Sequence, residues 1–368
     1  MTFCTKNLFK KSLALFLNNL FGSIYHQISA MKSSLYSLLA LCLFATLAVS
    51  QSTTINTPII GIMTIPSDYA QYPVDNWSYL VGAYVKYLQQ AGAQVVAIPY
   101  DSTQEELMFY LDRLNGVLFT GGSAALVNGT NGGLTQFGAS LNFVVQYVMH
   151  ANKNGHYYPL WGTCMGFQAI AGMIAGTFNI LTRDCEGCHG VNKNNEWNTQ
   201  YQSRLYSQIP QDLYDKMAYA NLTVFVHHNM YHTEVFENTY PLNETLKATT
   251  YSYDVEGKKY VSSYESPSMP IYGTQYHPEK NAFEWRSDYA INHGYDAIRL
   301  SQYLANFFVN ETRKNTNIFP QNEKYLIDNL HDVVLPNDTY TNLYFVPKTK
   351  RQPAAATQAK SGMFLSSF

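Results

Sequence analysis

Hydrophobic and polar positions alternate in blocks over residues 58–163, in the rhythm of short buried strands and amphipathic helices. Apolar runs at 58–63, 94–99, 116–120 and 158–163 are predicted strands. Between them, apolar residues recur at helical spacing over 79–91 and 136–152, and Ser102-x-x-Glu105 resembles a capping box that opens a further helix through residue 114. This β-α-β-α rhythm with short connections predicts a three-layer α/β sandwich, in which a mostly parallel central sheet carries helices on both faces.

After residue 175 the pattern is looser, and residues 183–220 are polar and allow no assignment. A strand is predicted at 222–226, a hairpin at 249–264 with Glu256-Gly257 at its turn, a strand at 271–276 and a helix at 296–310. Little core pattern follows. We therefore expect an α/β domain at 57–314 and a C-terminal tail at 315–368, which is partly disordered from Lys348 onward.

The fourth predicted strand runs into Gly162-Thr-Cys164-Met-Gly166, and an apolar segment of helical character follows. This Gly-x-Cys-x-Gly pattern is the cysteine form of the nucleophile elbow, in which the reactive side chain stands on a sharp strand-to-helix turn. The flanking glycines remove Cβ atoms from a crowded turn, and the N-terminus of the following helix favours a thiolate. A buried structural cysteine is the alternative explanation.

Cysteine hydrolysis requires a base, a group that orients the base, and an oxyanion site in addition to the thiolate. His277 follows a predicted strand, as Cys164 does, so parallel strands could bring both side chains to one sheet edge. Glu279, two residues further on, could orient the imidazole. The backbone N–H groups of Gly122 and Met165 are the candidate oxyanion donors, because each follows the end of a predicted strand. A structural histidine and a plain glycine loop are the alternatives.

Composition excludes one class of partner and says little about the others. Charged residues make up 14% of the 368 residues and the net charge is −2, so the chain has no basic footprint for nucleic acid. No metal or other cofactor is expected from the candidate site.

Residues 1–50 are predicted to be an N-terminal extension and signal peptide, with Met31 as an alternative start. The apolar stretch 35–49 has signal-peptide length and ends in small residues. An uncleaved anchor is the alternative, but the stretch is short for a membrane span. Six Asn-x-Ser/Thr sequences support the secretory pathway, with a lysosomal, vacuolar or extracellular destination. Their asparagines are Asn76, Asn128, Asn221, Asn243, Asn310 and Asn337.

Three of the five cysteines lie outside this predicted signal segment: Cys164, Cys185 and Cys188. An odd number in a secreted protein suggests one disulfide and one free reactive thiol. The Cys185-x-x-Cys188 pair could instead hold a metal together with His189, although this set is short of the four ligands of a structural zinc site.

Three segments together resemble the class I glutamine amidotransferase superfamily, and within it the γ-glutamyl hydrolases. They are Phe119-Thr-Gly-Gly-Ser123, Trp161-Gly-Thr-Cys164-Met-Gly-Phe167 and Tyr276-His277-Pro-Glu279-Lys280. The resemblance extends over about residues 58–314. It implies hydrolysis of γ-glutamyl bonds in folate and antifolate poly-γ-glutamates through a thioester, without metal or cofactor. Cys164 would be the nucleophile, His277 the general acid/base and Glu279 the third member of the triad.

The same resemblance places a substrate-side histidine at His227. Lys280, beside the triad, is a candidate for binding substrate carboxylates, with a solvent-facing lysine as the alternative. The expected partners are a small-molecule poly-γ-glutamyl substrate and, in a homodimer, a second copy of the chain. We expect no stable membrane insertion after signal cleavage. Two other functions stay open: a glutaminase-type amidotransferase subunit, and a non-catalytic binding protein of the same fold.

Overall fold

The computed structural model describes residues 20–22, 31–32, 54–130, 132–335 and 342–348. Contacts divide the chain into two units, residues 1–53 and 54–368. The predicted signal segment at 1–50 and the tail from residue 349 lie almost wholly outside the described residues, so both stay predictions. Within the described ranges, no helix is both long and apolar enough to cross a membrane.

The second unit is built from strands and helices that alternate along the first half of the chain. The strands are β1 (Ile59–Met63), β2 (Ile65–Pro66), β3 (Trp77–Val81), β4 (Gln94–Ile98), β5 (Gly116–Phe119), β6 (Leu160–Thr163), β7 (His189–Lys193), β8 (Glu196–Trp197), β9 (Thr223–Val226), β10 (Lys247–Tyr253), β11 (Lys259–Glu265), β12 (Ile271–Thr274), β13 (Asp332–Val333) and β14 (Leu343–Pro347). The α-helices are α1 (Gly82–Gln89), α2 (Gln104–Leu111), α3 (Gln136–Lys153), α4 (Met165–Ala175), α5 (Gln211–Tyr219), α6 (Thr233–Asn238), α7 (Leu242–Thr245), α8 (Lys280–Phe283) and α9 (Tyr295–Thr312). Two short 3-10 helices, Asn322–Lys324 and Ile327–Asn329, follow α9.

The central sheet has eight strands in the order β4-β1-β5-β6-β12-β11-β10-β8. The pairs from β4 to β12 are parallel, and those from β12 to β8 are antiparallel. The β10–β11 pair is the predicted hairpin. The mostly parallel sheet is therefore confirmed, and its parallel half contains the strands that precede the candidate site residues.

Helices cover both faces of this sheet, as predicted. Side chains alternate along β1: Ile59 and Met63 join one apolar core, and Ile60 and Ile62 join the other. The first core packs beneath α2, α3 and α4, and the second beneath α1 and α9. A strand buried on both faces explains the nearly continuous apolar runs in the sequence.

Two local predictions differ from the structure. The helix expected from residue 79 begins at Gly82, because residues 77–81 pair with β14 far along the chain. The capping box is formed by Thr103 and Glu106, one residue later than expected, with hydrogen bonds of 3.2 and 2.7 Å. Tertiary pairing and side-chain rotamers decide such boundaries, and a single sequence does not show them.

The α/β fold also extends beyond the boundary expected at residue 314. The side chains of Phe319, Ile327 and Leu343 are buried in the two cores, and β14 pairs along the whole length of β3. These residues lie in short apolar runs that are separated by polar segments, so they form no helical or strand periodicity over a longer stretch. The C-terminal segment is therefore part of the fold, and its strand β14 pairs with β3, the strand that leads into α1.

Candidate active site

Cys164 stands on the turn between β6 and α4, with φ 52° and ψ −105°. A positive φ is rare for a residue with a Cβ atom and is typical of strained functional turns. The glycines on either side make the turn possible. A Cβ atom on Gly162 would lie 2.5 Å from the carbonyl oxygen of Gly166, and one on Gly166 would overlap the carbonyl of Phe119. The predicted nucleophile elbow is therefore present in its backbone geometry.

The crowding at Gly162 leads to a stability prediction. We expect Gly162→Ala to lower the free energy of unfolding by about 1–3 kcal/mol, because the backbone atoms it meets cannot rotate away. Gly129→Ala is a matched control, since a Cβ atom there meets nothing within 4 Å. Chemical denaturation of both variants measures the difference. Equal midpoints for Gly162→Ala and Gly129→Ala would show that the turn tolerates a side chain.

The candidate base and nucleophile meet at one edge of the sheet. Strands β6 and β12 are parallel neighbours, and the N–H of Cys164 donates to the carbonyl of Thr274 at 2.8 Å. His277 follows three residues after β12. A Cβ atom added to Gly121 would lie 2.6 Å from His277 Cε1 and 3.2 Å from Cys164 Cβ. The parallel sheet thus brings together the thiol, the imidazole and the glycine loop that follows β5, at the carboxyl ends of its strands.

Glu279 holds the His277 ring in place. Its Oε1 lies 2.7 Å from His277 Nδ1, and both side chains are buried. The other ring nitrogen, Nε2, forms no hydrogen bond of ordinary geometry within the described residues, while the imidazole interacts electrostatically with the Cys164 thiol. Long catalytic hydrogen bonds are common in a site without substrate. The imidazole of His277 therefore lies between the other two predicted triad residues and interacts with both the Cys164 thiol and the Glu279 carboxylate.

The protonation of this pair follows from its surroundings. Burial lowers the pKa of His277, but the charge of Glu279 and the interaction with Cys164 outweigh it and raise the pKa to about 9. Burial also raises the pKa of Glu279, and the charge of His277 overcomes this effect so that the pKa of the carboxyl lies below its usual value. Near neutral pH the arrangement is thus an imidazolium paired with a carboxylate.

Tyr84 is a neighbour of the triad that the sequence pattern placed only on the apolar face of a helix. Its hydroxyl accepts the N–H of Gly121 at 2.8 Å and lies 3.2 Å from His277 Nδ1. The side chain is 2% exposed. Helical spacing correctly indicated that Tyr84 is buried, but no sequence signal showed that its hydroxyl reaches the imidazole.

A cavity of about 360 Å³ opens beside Cys164. Four predicted site residues line it in addition to Cys164: Gly122, His227, His277 and Lys280. Met165 begins α4, so its N–H has no partner within the helix. No Asp or Glu is among the described lining residues, whereas three cationic side chains are: Arg183, Lys280 and Arg286. The arrangement suits an anionic ligand next to a nucleophilic thiol.

Lys280 and His227 are both buried, which sequence reasoning did not predict for Lys280. The lysine is 3% exposed, so a solvent-facing side chain is excluded. His227 is 4% exposed, and its Nδ1 lies 2.8 Å from the carbonyl oxygen of Asn229. Burial lowers the pKa of His227 to about 3, so this imidazole is neutral where His277 is charged. His227 and His277, two of the histidines that line the cavity, therefore carry different protonation states.

The cysteine prediction is confirmed: Cys185 and Cys188 form a disulfide, and Cys164 is the free thiol among the described cysteines. His189, the proposed third ligand of a metal site, instead stacks on His228 with ring centroids 4.7 Å apart. The histidine beside the disulfide is His227. The metal alternative in its predicted form does not correspond to the structure.

A free thiol on a strand-to-helix turn, with an imidazole held by a buried carboxylate, defines a cysteine hydrolase of the α/β class. Residues 58–279 match the family model described as Peptidase C26. This match spans more than half of the chain, and the chain belongs to the Peptidase C26 family.

Curated relatives align over most of both chains. Gamma-glutamyl hydrolase B of Dictyostelium discoideum is 33% identical over 80% of this chain and 84% of its own. Gamma-glutamyl hydrolase of Homo sapiens is 31% identical over 78% of this chain and 90% of its own. Gamma-glutamyl hydrolase 1 of Arabidopsis thaliana is 30% identical over 73% of this chain and 75% of its own. The resemblance drawn from the sequence motifs is confirmed.

Proposed function

We propose that this protein hydrolyses γ-glutamyl bonds of poly-γ-glutamyl chains, including those of folates and antifolates, through a thioester on Cys164. The observation that carries the proposal is the Cys164–His277–Glu279 arrangement at the wall of a cavity with cationic lining. The similarity to curated gamma-glutamyl hydrolases over most of the chain supports the choice of bond.

The geometry suggests how the first half-reaction proceeds. The Cys164 thiolate attacks the γ-carbonyl carbon, and the carbonyl oxygen becomes an oxyanion. The N–H groups of Gly122 and Met165 are the proposed donors to this oxyanion, because Gly122 lines the cavity beside Cys164 and Met165 follows Cys164 as the first residue of α4. The C–N bond then breaks, and His277 gives its proton to the departing amine. A thioester on Cys164 remains.

Water completes the cycle. With His277 now neutral, the imidazole accepts a proton from water as its oxygen attacks the thioester carbon. The carboxylate product leaves, and the thiolate–imidazolium pair forms again. Glu279 moves no proton in either half-reaction. Its role is to hold the ring and to stabilise the imidazolium, since it binds Nδ1 at 2.7 Å.

A purified sample tests the activity with a matched pair of substrates. We expect pteroyl-penta-γ-glutamate to be shortened, while the α-linked isomer of the same length is cleaved at least ~100-fold more slowly, because only one linkage presents its carbonyl to Cys164 with the α-carboxylates in place. Chromatography of the products measures both rates. Equal rates, or no cleavage of the γ-linked chain, would contradict the proposal. Ammonia released from free glutamine at a higher kcat/KM would favour the glutaminase alternative.

Lys280 provides a test of substrate binding. The Lys280 side chain is buried and lines the cavity, and a cationic side chain at this place suits an α-carboxylate of the substrate. We expect Lys280→Met to raise KM about 10-fold or more with a smaller decrease in kcat, since binding energy common to ground and transition states is lost. Lys153→Met, at an exposed lysine of α3, is the control. An unchanged KM for Lys280→Met would remove Lys280 from the binding site.

We further propose that the protein enters the secretory pathway. Four asparagines of the predicted glycosylation sequences are exposed, namely Asn76, Asn128, Asn221 and Asn310. Asn243 is half-buried, and Asn337 lies outside the described residues. Expression in a eukaryotic host should yield a mature N-terminus close to Gln51 and a mass that falls on deglycosylation. Mature protein that starts at Met1 or Met31 would contradict this proposal.

A further inference from the structure

Three side chains with metal-ligand chemistry meet outside the proposed catalytic triad. The ligand atoms of Cys185, Cys188 and His227 all lie within 4.8 Å of one another, and the three residues are buried. In this structure the two sulfurs form a disulfide. Cys-x-x-Cys with a nearby histidine is also a ligand spacing typical of zinc sites. After reduction of the disulfide, these three side chains can bind a metal ion only if the backbone keeps them close together.

Backbone hydrogen bonds hold the cluster independently of the sulfur–sulfur bond. The N–H of Cys185 donates to the carbonyl of His228 at 3.1 Å, and the N–H of His227 donates to the carbonyl of Cys188 at 3.0 Å. Gly187 makes the turn between the cysteines with a φ of 63°, in the region that favours glycine. Strand β7, which follows Cys188, pairs with β9, which precedes His227. Reduction should therefore leave both thiols beside the imidazole.

One nitrogen of the His227 ring is bound to the backbone, and the other is left without a hydrogen bond among the described residues. The carbonyl oxygen of Asn229 can only accept a hydrogen bond, so Nδ1 carries a proton, and Nε2 is the ring nitrogen left to offer a lone pair to a metal ion. Nε2 is buried and forms no hydrogen bond within the described part of the chain. A histidine that donates one N–H to a backbone carbonyl and leaves the other nitrogen unpaired matches the usual outer-shell support of metal-bound imidazole.

We propose that reduction of the Cys185–Cys188 disulfide creates a zinc site whose ligands are Cys185, Cys188 and His227. A thiol or phosphine reductant supplies two electrons, and two thiols form. Zinc binding then releases the two thiol protons, and two thiolates balance the charge of Zn²⁺. Zn–S bonds of about 2.3 Å in tetrahedral geometry put the sulfurs roughly 3.8 Å apart. The Cα–Cα distance of 5.7 Å allows this separation by side-chain rotation.

The fourth zinc position has room for water or a small ligand. A cavity of about 260 Å³ lies against Cys185 and Cys188, with His189 and His228 on its wall. The site is distinct from the Cys164 thiol, although His227 borders both. The metal-binding experiment measures no hydrolysis, so its outcome is independent of the proposed function.

The test uses the full chain with Cys4, Cys42 and Cys164 replaced by serine, which leaves Cys185 and Cys188 as its only thiols. The protein is reduced with a phosphine under argon, desalted, and titrated with Zn²⁺ against a chromophoric chelator. We expect one zinc per chain after reduction and none in the oxidised protein. Co²⁺ in place of zinc should give a thiolate charge-transfer band in the near ultraviolet.

Single-site variants identify the third ligand. His227→Ala should weaken zinc binding by more than the 10- to 100-fold that is typical for loss of an outer-shell partner. His150→Ala, at an exposed histidine on α3, is the control and should bind zinc with unchanged affinity. Replacement of both Cys185 and Cys188 by serine should abolish binding while circular dichroism remains native. Three results would overturn the proposal: no zinc bound by the reduced, folded protein; unchanged affinity in His227→Ala; or loss of the native circular dichroism on reduction.

Discussion

Replacement of Cys164 by alanine should lower kcat/KM for γ-glutamyl hydrolysis by about 10⁴-fold or more, to the background of the assay. The thiolate forms the covalent bond in the proposed mechanism, and no other free thiol lies among the described residues. The fold should persist, because the close approaches that shape the turn belong to Gly162 and Gly166 and not to the side chain between them. Steady-state kinetics with circular dichroism of the same sample measures both quantities.

A chemical control accompanies this variant. Iodoacetamide should inactivate the wild-type protein in proportion to the alkylation of Cys164, and the alanine variant should take up no label at this position. A folded Cys164→Ala protein that hydrolyses the substrate at the wild-type rate would refute the mechanism.

The imidazole and its carboxylate should differ in the size of their effects. His277→Ala removes the group that transfers the proton and should lower kcat/KM by about 10⁴-fold, whereas Glu279→Gln should cost roughly 10²-fold, because the ring remains. His150→Ala, at an exposed histidine on α3, is the matched control and should retain wild-type activity. The double variant Cys164→Ala/His277→Ala should be scarcely worse than either single variant, since the two groups act as one unit. Equal losses for His277→Ala and His150→Ala would exclude the proposed role of His277.

The dependence of kcat/KM on pH tests whether Glu279 controls the ionisation of His277 or only stabilises the fold. The pKa of His277 is raised to about 9, with Glu279 as the largest raising cause, so the protonated ring is present below that pH and is lost as pH rises through it. The alkaline limb of kcat/KM should therefore lie near pH 9 in the wild-type protein. Glu279→Gln removes the charge that holds the proton, so this limb should move to lower pH. An unmoved limb would show that Glu279 does not control the ionisation of His277.

The Glu279–His277 pair also makes the stability of the fold depend on pH, and the two groups act in opposite directions. The folded-state pKa of Glu279 is lowered, so the stability it contributes is present above the unfolded value and is lost as pH falls through the folded value. The folded-state pKa of His277 is raised, so its contribution is present below its unfolded value of ~6.5 and is lost as pH rises toward 9. Both contributions are therefore retained at mildly acidic pH, which suits the proposed lysosomal or vacuolar destination.

Much of the parallel half of the fold could be predicted because its strands are buried on both faces. Continuous apolar runs such as 58–63 are too short for a helix and have turn residues at their ends, which indicates buried strands. The elbow could also be predicted, because Gly162 and Gly166 lie two residues before and after Cys164 and the turn itself requires this spacing. His277 and Glu279 were predicted from their position after a strand. Because β6 and β12 are parallel neighbours, the residues that follow both strands lie at the same end of the sheet.

What could not be predicted depends on contacts between distant segments. The hydroxyl of Tyr84 reaches His277 across 193 residues, and hydrophobic spacing does not reveal such a partner. Strand β14 pairs with β3 more than 260 residues away, so the C-terminal segment looked like a tail. The burial of Lys280 was not predicted either, because a lysine side chain is ordinarily exposed.

The most direct measurement of the mechanism is the intact mass of the enzyme during turnover. An excess of pteroyl-penta-γ-glutamate is mixed with Glu279→Gln protein, the reaction is quenched in acid within the first turnovers, and the protein mass is determined. A transient adduct with the mass of the acyl part of the substrate, located on Cys164 by peptide mapping, is the predicted result. Product formation without any adduct in the wild-type protein and in this variant, or an adduct on another residue, would contradict the account.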